Sequence, residues 1–310
     1  MIIGENHFRY EWIEDWAKIP DTKSGKENGR THGVVVLKDG NIVVFNQADP
    51  AVLIFNPDRE LLTSWGNRFG GAHGLTLTEE NGEEYLWLTD QYSGEVIKTT
   101  IDGKAKLSIQ KPGISLYNDK EYSPTWVAVF EDRFGGNGDI WVADGYGSNL
   151  IHRYSKEGIY LKTLSGEEGD AGFFKCPHSL FIDTRKSEPE LYIADRGNRR
   201  FQVYDLEGNY KRSFGDDFLN SPCGGVIKDQ YLFVPELFSR LAILDENDKL
   251  ITYLGRNEET INIPGWPNHP RKLIEEGKFN SPHDMAIDKE DNLYVVEWII
   301  GGRVTKLKKA

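Results

Sequence analysis

A six-bladed, all-β propeller is the fold this sequence predicts, and three observations predict it. A short phrase recurs six times along the 310 residues. Its copies are spaced as propeller blades are. Each copy is followed by a second short, β-rich run bounded by Gly, Asp and Asn turns.

The phrase is a Pro or His, an apolar run, a polar turn, a second apolar run, then Asp or Glu. It opens at Thr31-His32-Gly33-Val34 and Ala72-His73-Gly74-Leu75, then at Pro124-Thr125-Trp126-Val127 and Pro177-His178-Ser179-Leu180. The last copies are Pro222-Cys223-Gly224-Gly225 and Pro282-His283-Asp284-Met285. The aligned positions 32, 73, 126, 178, 223 and 283 are 41, 53, 52, 45 and 60 residues apart, which suits one four-stranded blade per copy. Second strands are expected at Ile42 to Phe45, Tyr85 to Leu88, Ile140 to Ala143, Leu191 to Ala194, Tyr231 to Val234 and Leu293 to Val296. A third strand is clearest at Arg200 to Tyr204. The last copy is short, so the strand-like Phe8 to Trp12 is expected to supply its outer strand and close the blade. Two connections exceed what a blade turn needs, Lys111 to Ser123 and Arg256 to Asn280, and both are candidate rims of a pocket. The second is expected to carry a short helix near Arg271 to Glu276. No segment reads as a linker, so residues 1–310 are expected to form one domain.

Composition sets the outer limits. With 38% hydrophobic and 12% aromatic residues the chain can bury a large core. A net charge of -12 argues against a nucleic-acid partner, because phosphate binding needs a basic face. No apolar run reaches 18 residues, so no membrane-spanning helix is expected. Met1 to Asn6 lacks a basic region followed by a long apolar one, and Cys176 and Cys223 make no disulfide framework. The expected compartment is the cytoplasm.

The recurrent position lies just before the innermost strand, where every copy faces the same mouth of a propeller's channel. Four of the six are histidine: His32, His73, His178 and His283. His73, His178 and His283 are 105 residues apart and fall on alternate blades. Three imidazoles about a pseudo-threefold axis can hold one divalent transition metal, zinc above all, with a coordination position open as in catalytic sites. Trp126 and Cys223 occupy the remaining two positions and, with His32, are candidate substrate contacts.

The sequence resembles the peptidyl-α-hydroxyglycine α-amidating lyases, which are propellers of NHL-type repeats. The likeness runs from Thr31 to Leu307 and is densest from Pro124 to Tyr204. It is carried by Pro124-Thr125-Trp126, Asp144-Gly145-Tyr146, Pro177-His178-Ser179, Ala194-Asp195-Arg196-Gly197-Asn198 and Pro282-His283-Asp284. The resemblance implies zinc on His73, His178 and His283, Tyr146 as base, Arg196 in the active site and Asp284 beside a structural calcium. Other readings stay open for two of these. Tyr146 would cap a strand, and Arg196 would pair with Asp195 between blades. A nearby metal and guanidinium would nonetheless favour the phenolate of a tyrosine, whose ordinary pKa of about 10 makes it a poor base.

Departures from the family pattern are specific. Gln47 stands where the family has an arginine, and cannot pair a carboxylate as a charged fork does. Ser281 stands near a family methionine, His32 has no family counterpart, and Gly147 stands where secreted members have cysteine. The expected activity is a metal-dependent lyase cleaving a C–N or C–O bond of a small hydroxylated, sugar-like substrate. Tyr146 and Arg196 would be catalytic, and His32, Gln47, Trp126 and Cys223 would position the substrate. A metal-dependent hydrolase of esters or lactones and a non-enzymatic binding scaffold are the alternatives.

Overall fold

The computed structural model describes residues 1–310. It contains six antiparallel sheets, and the fold class is the six-bladed β-propeller that the repeats predict. The one α-helix, Lys23–Asn28, is a turn and a half, and no helix is long and apolar enough to cross a membrane. The chain divides into two compact units, residues 71–224 and residues 1–70 with 225–310.

The 71–224 unit holds the second, third and fourth blades. Their first strands are Ala72–Glu80, Trp126–Val129 and Pro177–Asp183. Their second strands, Glu83–Asp90, Ile140–Asp144 and Glu190–Asp195, are the most deeply buried. These read as continuous apolar runs because both faces of such a strand are covered by neighbouring sheets. Val127, Val142 and Trp87 share one cluster, while Trp141, Ile193 and Leu180 share the next. Fourth strands such as Tyr160–Leu164 lie at the edge, half exposed and carrying lysine, which discourages edge pairing.

The other unit holds the first, fifth and sixth blades. The sixth has Pro282–Ile287, Leu293–Glu297 and Arg303–Lys309, and its next strand is Tyr10–Ile13. Trp12 pairs opposite Leu307 and Tyr10 opposite Lys309, so the N-terminal segment completes the last blade as expected. Two details differ from the sequence reading. The strand begins at Tyr10, because Asn6–Phe8 is a 3-10 turn that buries Phe8. Ile2–Ile3 adds a short fifth strand outside it. Buried Arg303 donates to Glu14 at 2.9 Å and also to Glu297, tying the N-terminal segment to the blade. The expected helix near Arg271 to Glu276 is a single 3-10 turn, Arg271–Leu273.

Candidate functional site

All four recurrent histidines sit at breaks in strand register. Pairing skips from Thr31 to Gly33, from Ala72 to Leu75, from Pro177 to Ser179 and from Pro282 to Asp284. In each case an extra residue lies within the skipped stretch, as in a β-bulge, which re-aims a side chain out of the normal alternation. The third blade carries Trp126 at this position and its register is unbroken.

Three of the four histidines share one backbone arrangement. His73 Nδ1 lies 2.8 Å from the carbonyl of Thr125, His178 Nδ1 lies 2.7 Å from that of Cys223, and His283 Nδ1 lies 2.8 Å from that of His32. Each acceptor is at, or one residue before, the recurrent position of the next blade. A carbonyl can only accept, so each Nδ1 carries the proton and each Nε2 keeps its lone pair. That is the tautomer a metal-ligating histidine needs, with the backbone acceptor fixing the ring. His32 differs: its Nδ1 lies 3.3 Å from Arg30 O, just before its own strand.

Within the 71–224 unit, His73 and His178 are fully buried with ring centroids 4.8 Å apart. Trp126 stands edge-on to His73 at 6.3 Å and tilted to His178 at 6.4 Å. A ring nitrogen of His178 and the Cys223 sulfur lie within 4.8 Å of one another. Burial pulls the His73 pKa down to about 3, against the Thr125 carbonyl and with help from Arg196. The imidazole is therefore neutral, as metal binding requires.

Tyr146 joins this cluster. Its hydroxyl lies 3.1 Å from His73 Nε2, and Arg196 Nη2 donates to it at 3.1 Å. Because Nε2 is the acceptor, the tyrosine O–H donates to His73. Tyr146 is 36% exposed as a residue, and its hydroxyl sits between buried His73 and half-buried Arg196. Burial pushes the phenol up to about 12, and the Arg196 charge works against that.

Local sequence explains the placement. Tyr146 follows the strand Ile140–Asp144, whose last side chain organises the turn. Asp144 accepts from Ser123 N, Ser148 N and Tyr117 Oη, each at 2.7 Å. Since Tyr117 donates to Asp144, His152 Nε2 donates to the Tyr117 oxygen at 2.6 Å. A Cβ on Gly147 would lie 2.2 Å from Asp144 Oδ1, so this turn requires glycine there. Arg196 starts the 3-10 turn Arg196–Asn198. It does not form the ion pair with Asp195 that the turn sequence allows, because Asp195 is taken by Arg200 at 2.8 Å. Its guanidinium reaches the Cys176 sulfur at 3.2 Å and the Cys223 sulfur at 4.0 Å.

Tyr146 also lines an open, polar cleft of about 670 Å³ with Gln91, Tyr92, Lys111, Lys120 and Glu121. The Lys111 to Ser123 connection is thus the rim of a pocket. Within the Arg256 to Asn280 connection, Trp266 Nε1 donates to Asn280 O at 2.9 Å.

In the other unit, His32 and His283 have ring centroids 4.5 Å apart. Buried Gln47 donates its backbone N–H to Arg30 O at 2.9 Å. Asp284 accepts from Val34 N at 2.9 Å, a clasp between the first strands of two blades, and burial raises its carboxyl well above the usual range. Sequence reasoning missed Cys176, Asp144, Tyr117 and His152. For Asp144 and Tyr117 a signal existed in the Asp-Gly-Tyr turn and the long connection facing it. His152 lies mid-strand and carries none.

No protein-family model matches the chain. Its sequence is similar to NHL repeat-containing protein 3 of Homo sapiens, 28% identical over 246 residues, covering 74% of this chain and 67% of that protein. It is also similar to peptidyl-alpha-hydroxyglycine alpha-amidating lyase 1 of Drosophila melanogaster, 30% identical over 258 residues. That match covers 75% of this chain but only 44% of the fly protein. Among solved structures, a streptogramin B lyase superposes with a TM-score of 0.64 at 10% identity, over 99% of this chain and 100% of that one. A gluconolactonase from Xanthomonas campestris gives 0.63 at 12% identity, over 91% and 87%. At such identities the solved structures speak to the fold alone. Fold, repeats and bulged histidines together define an NHL-repeat six-bladed β-propeller. Within that class, the chain is similar to NHL repeat-containing proteins and to peptidyl-α-hydroxyglycine α-amidating lyases at 25–30% identity.

Proposed function

We propose that this protein is a metal-dependent lyase that cleaves a C–N or C–O bond next to a hydroxyl in a small, uncharged, sugar-like molecule. The observation that carries the reading is the Tyr146 hydroxyl held between His73 Nε2 and Arg196 Nη2. The residues proposed to hold the ion are His73, His178 and His283. All three are buried, and all three have Nδ1–H on a backbone carbonyl and the lone pair on Nε2. A divalent transition metal, zinc by this donor set, supplies Lewis acidity at the substrate hydroxyl.

The chain's own groups do the rest. A single lone pair on His73 Nε2 serves either the ion or the Tyr146 proton. With the ion bound, Tyr146 keeps Arg196 as its partner, and the guanidinium favours the phenolate. The phenolate takes the substrate hydroxyl proton, the adjacent C–N or C–O bond breaks, and a carbonyl forms. The proton on Tyr146 then passes to the departing nitrogen or oxygen, so no water is consumed. Trp126, packed against His73 and His178, walls the site, and the cleft beside Tyr146 admits the substrate. Gln47 and His32 are proposed substrate contacts, and neutral groups of this kind suit a polyhydroxylated ligand rather than a carboxylate.

The test is turnover by the zinc-loaded protein of an N-(1-hydroxyalkyl)amide without a carboxylate. Products should be an amide and a carbonyl compound, and Tyr146→Phe should lower kcat by about 10²-fold or more. Incorporation of solvent oxygen into a carboxylic acid product would point to hydrolysis and overturn the lyase reading.

A further inference from the structure

We propose that Cys223 is a metal ligand, its thiolate binding the same ion as His178. The inference rests on the metal-site reading above and adds to it a sulfur donor that the alternate-blade spacing does not contain.

Position supports it first. Cys223 occupies the recurrent position that is histidine in four other blades. The backbone that fixes His178 is that of Cys223 itself, through the 2.7 Å bond to its carbonyl. Ring orientation and thiol position are therefore set by one residue. A ring nitrogen of His178 and the Cys223 sulfur already lie within 4.8 Å. Zinc bonds of about 2.0–2.1 Å to nitrogen and about 2.3 Å to sulfur, at a tetrahedral angle, separate the two donors by about 3.6 Å. Closing that gap needs at most about an ångström of side-chain movement.

Chemistry supports it second. Cys223 is fully buried, and Arg196 Nη1 stands 4.0 Å from its sulfur. The thiolate is the ligating form of a cysteine. As the sulfur–metal bond forms, the thiol proton leaves to solvent. Cys176 shares Arg196 but is partly exposed and does not occupy the recurrent position, so it serves as the internal control. A thiolate with imidazoles favours zinc or cobalt over magnesium or calcium. Together with three imidazoles it would fill a tetrahedron, so substrate would enter by displacing sulfur or by expansion to five ligands.

The experiment is cobalt(II) loading of the full-length, chelator-stripped protein under reducing conditions, followed by absorption spectroscopy. A sulfur-to-cobalt charge-transfer band in the near ultraviolet is expected for the wild type and for Cys176→Ser. It should vanish in Cys223→Ser, whose cobalt should bind more than about tenfold more weakly. Stoichiometric cobalt showing only ligand-field bands would overturn the thiolate and leave the histidine site standing. A band that survives Cys223→Ser but is lost in Cys176→Ser would also overturn it. Failure of the protein to bind cobalt at all would sink both readings. Circular dichroism of each variant separates loss of ligand from loss of fold.

Discussion

Arg196 donates a hydrogen bond to the Tyr146 hydroxyl at 3.1 Å, and its charge acts against the burial that raises the phenol to about 12. Removing the charge should leave burial unopposed. Arg196→Gln is expected to cut kcat by roughly 10- to 150-fold, the equivalent of about 1.5–3 kcal/mol for a hydrogen bond to a charged group. The rising limb of the pH profile, on which Tyr146 loses its proton, should move to higher pH. An unchanged limb would remove Tyr146 from the role of base.

Tyr117 anchors the rim of the cleft through Asp144 and His152. Tyr117→Phe deletes both bonds without emptying the site. The expected result is a KM raised by about 2- to 10-fold with kcat largely kept, because the rim loosens while Tyr146 and Arg196 stay in place. Steady-state kinetics of that variant makes the comparison.

The fourth blade offers a prediction free of the site. Burial alone would raise the Glu190 carboxyl, but Arg212 and Lys211 bring it down from 4.5 to about 2. A depressed carboxyl stabilises the fold above its unfolded-state pKa and loses that contribution as pH falls through the folded value. Thermal stability should therefore drop between pH 4.5 and 2, and Glu190→Gln should flatten that part of the curve.

Closure of the sixth blade by Tyr10–Ile13 predicts that the N-terminal segment is integral to the fold. Trp12 is buried against Phe279, with ring centroids 4.7 Å apart. Trp12→Ala should cost about 3–5 kcal/mol, and deleting residues 1–16 should cost more. A deletion variant with an unchanged melting temperature would show that the strand pairing contributes nothing.

On the proposed reading, Gln47 governs substrate choice. A neutral amide in place of an arginine fork should weaken a terminal carboxylate by roughly tenfold or more. Direct competition should favour an uncharged polyol-like substrate over a peptidyl-α-hydroxyglycine, and Gln47→Arg should narrow the gap. Efficient turnover of the peptide, unimproved by that substitution, would return the protein to the amidating-lyase activity.

The repeats made the six blades legible, because a strand covered on both faces must be apolar wherever it recurs, as at Ile140–Asp144 and Leu293–Glu297. The histidines were visible for the same periodic reason. Spacing set His283 apart from His32, but the structural difference between them was not visible. That distinction lies in which backbone carbonyl each Nδ1 meets, and a carbonyl leaves no mark in the sequence. The register breaks at these histidines were hidden too, since a bulge is set by pairing with a partner strand. Arg196 illustrates the opposite limit. Its turn sequence allowed a pair with Asp195, but Arg200, four residues on, holds that carboxylate and leaves the guanidinium to Tyr146.

Metal content is the measurement that tests the central claim most directly. Elemental analysis of the purified, zinc-loaded protein should find one ion per chain. His178→Ala should lose it, while His32→Ala, whose ring lacks the shared backbone arrangement, should keep it. A wild-type protein that takes up no stoichiometric transition metal, or a His178→Ala variant that keeps a full equivalent, would contradict the account.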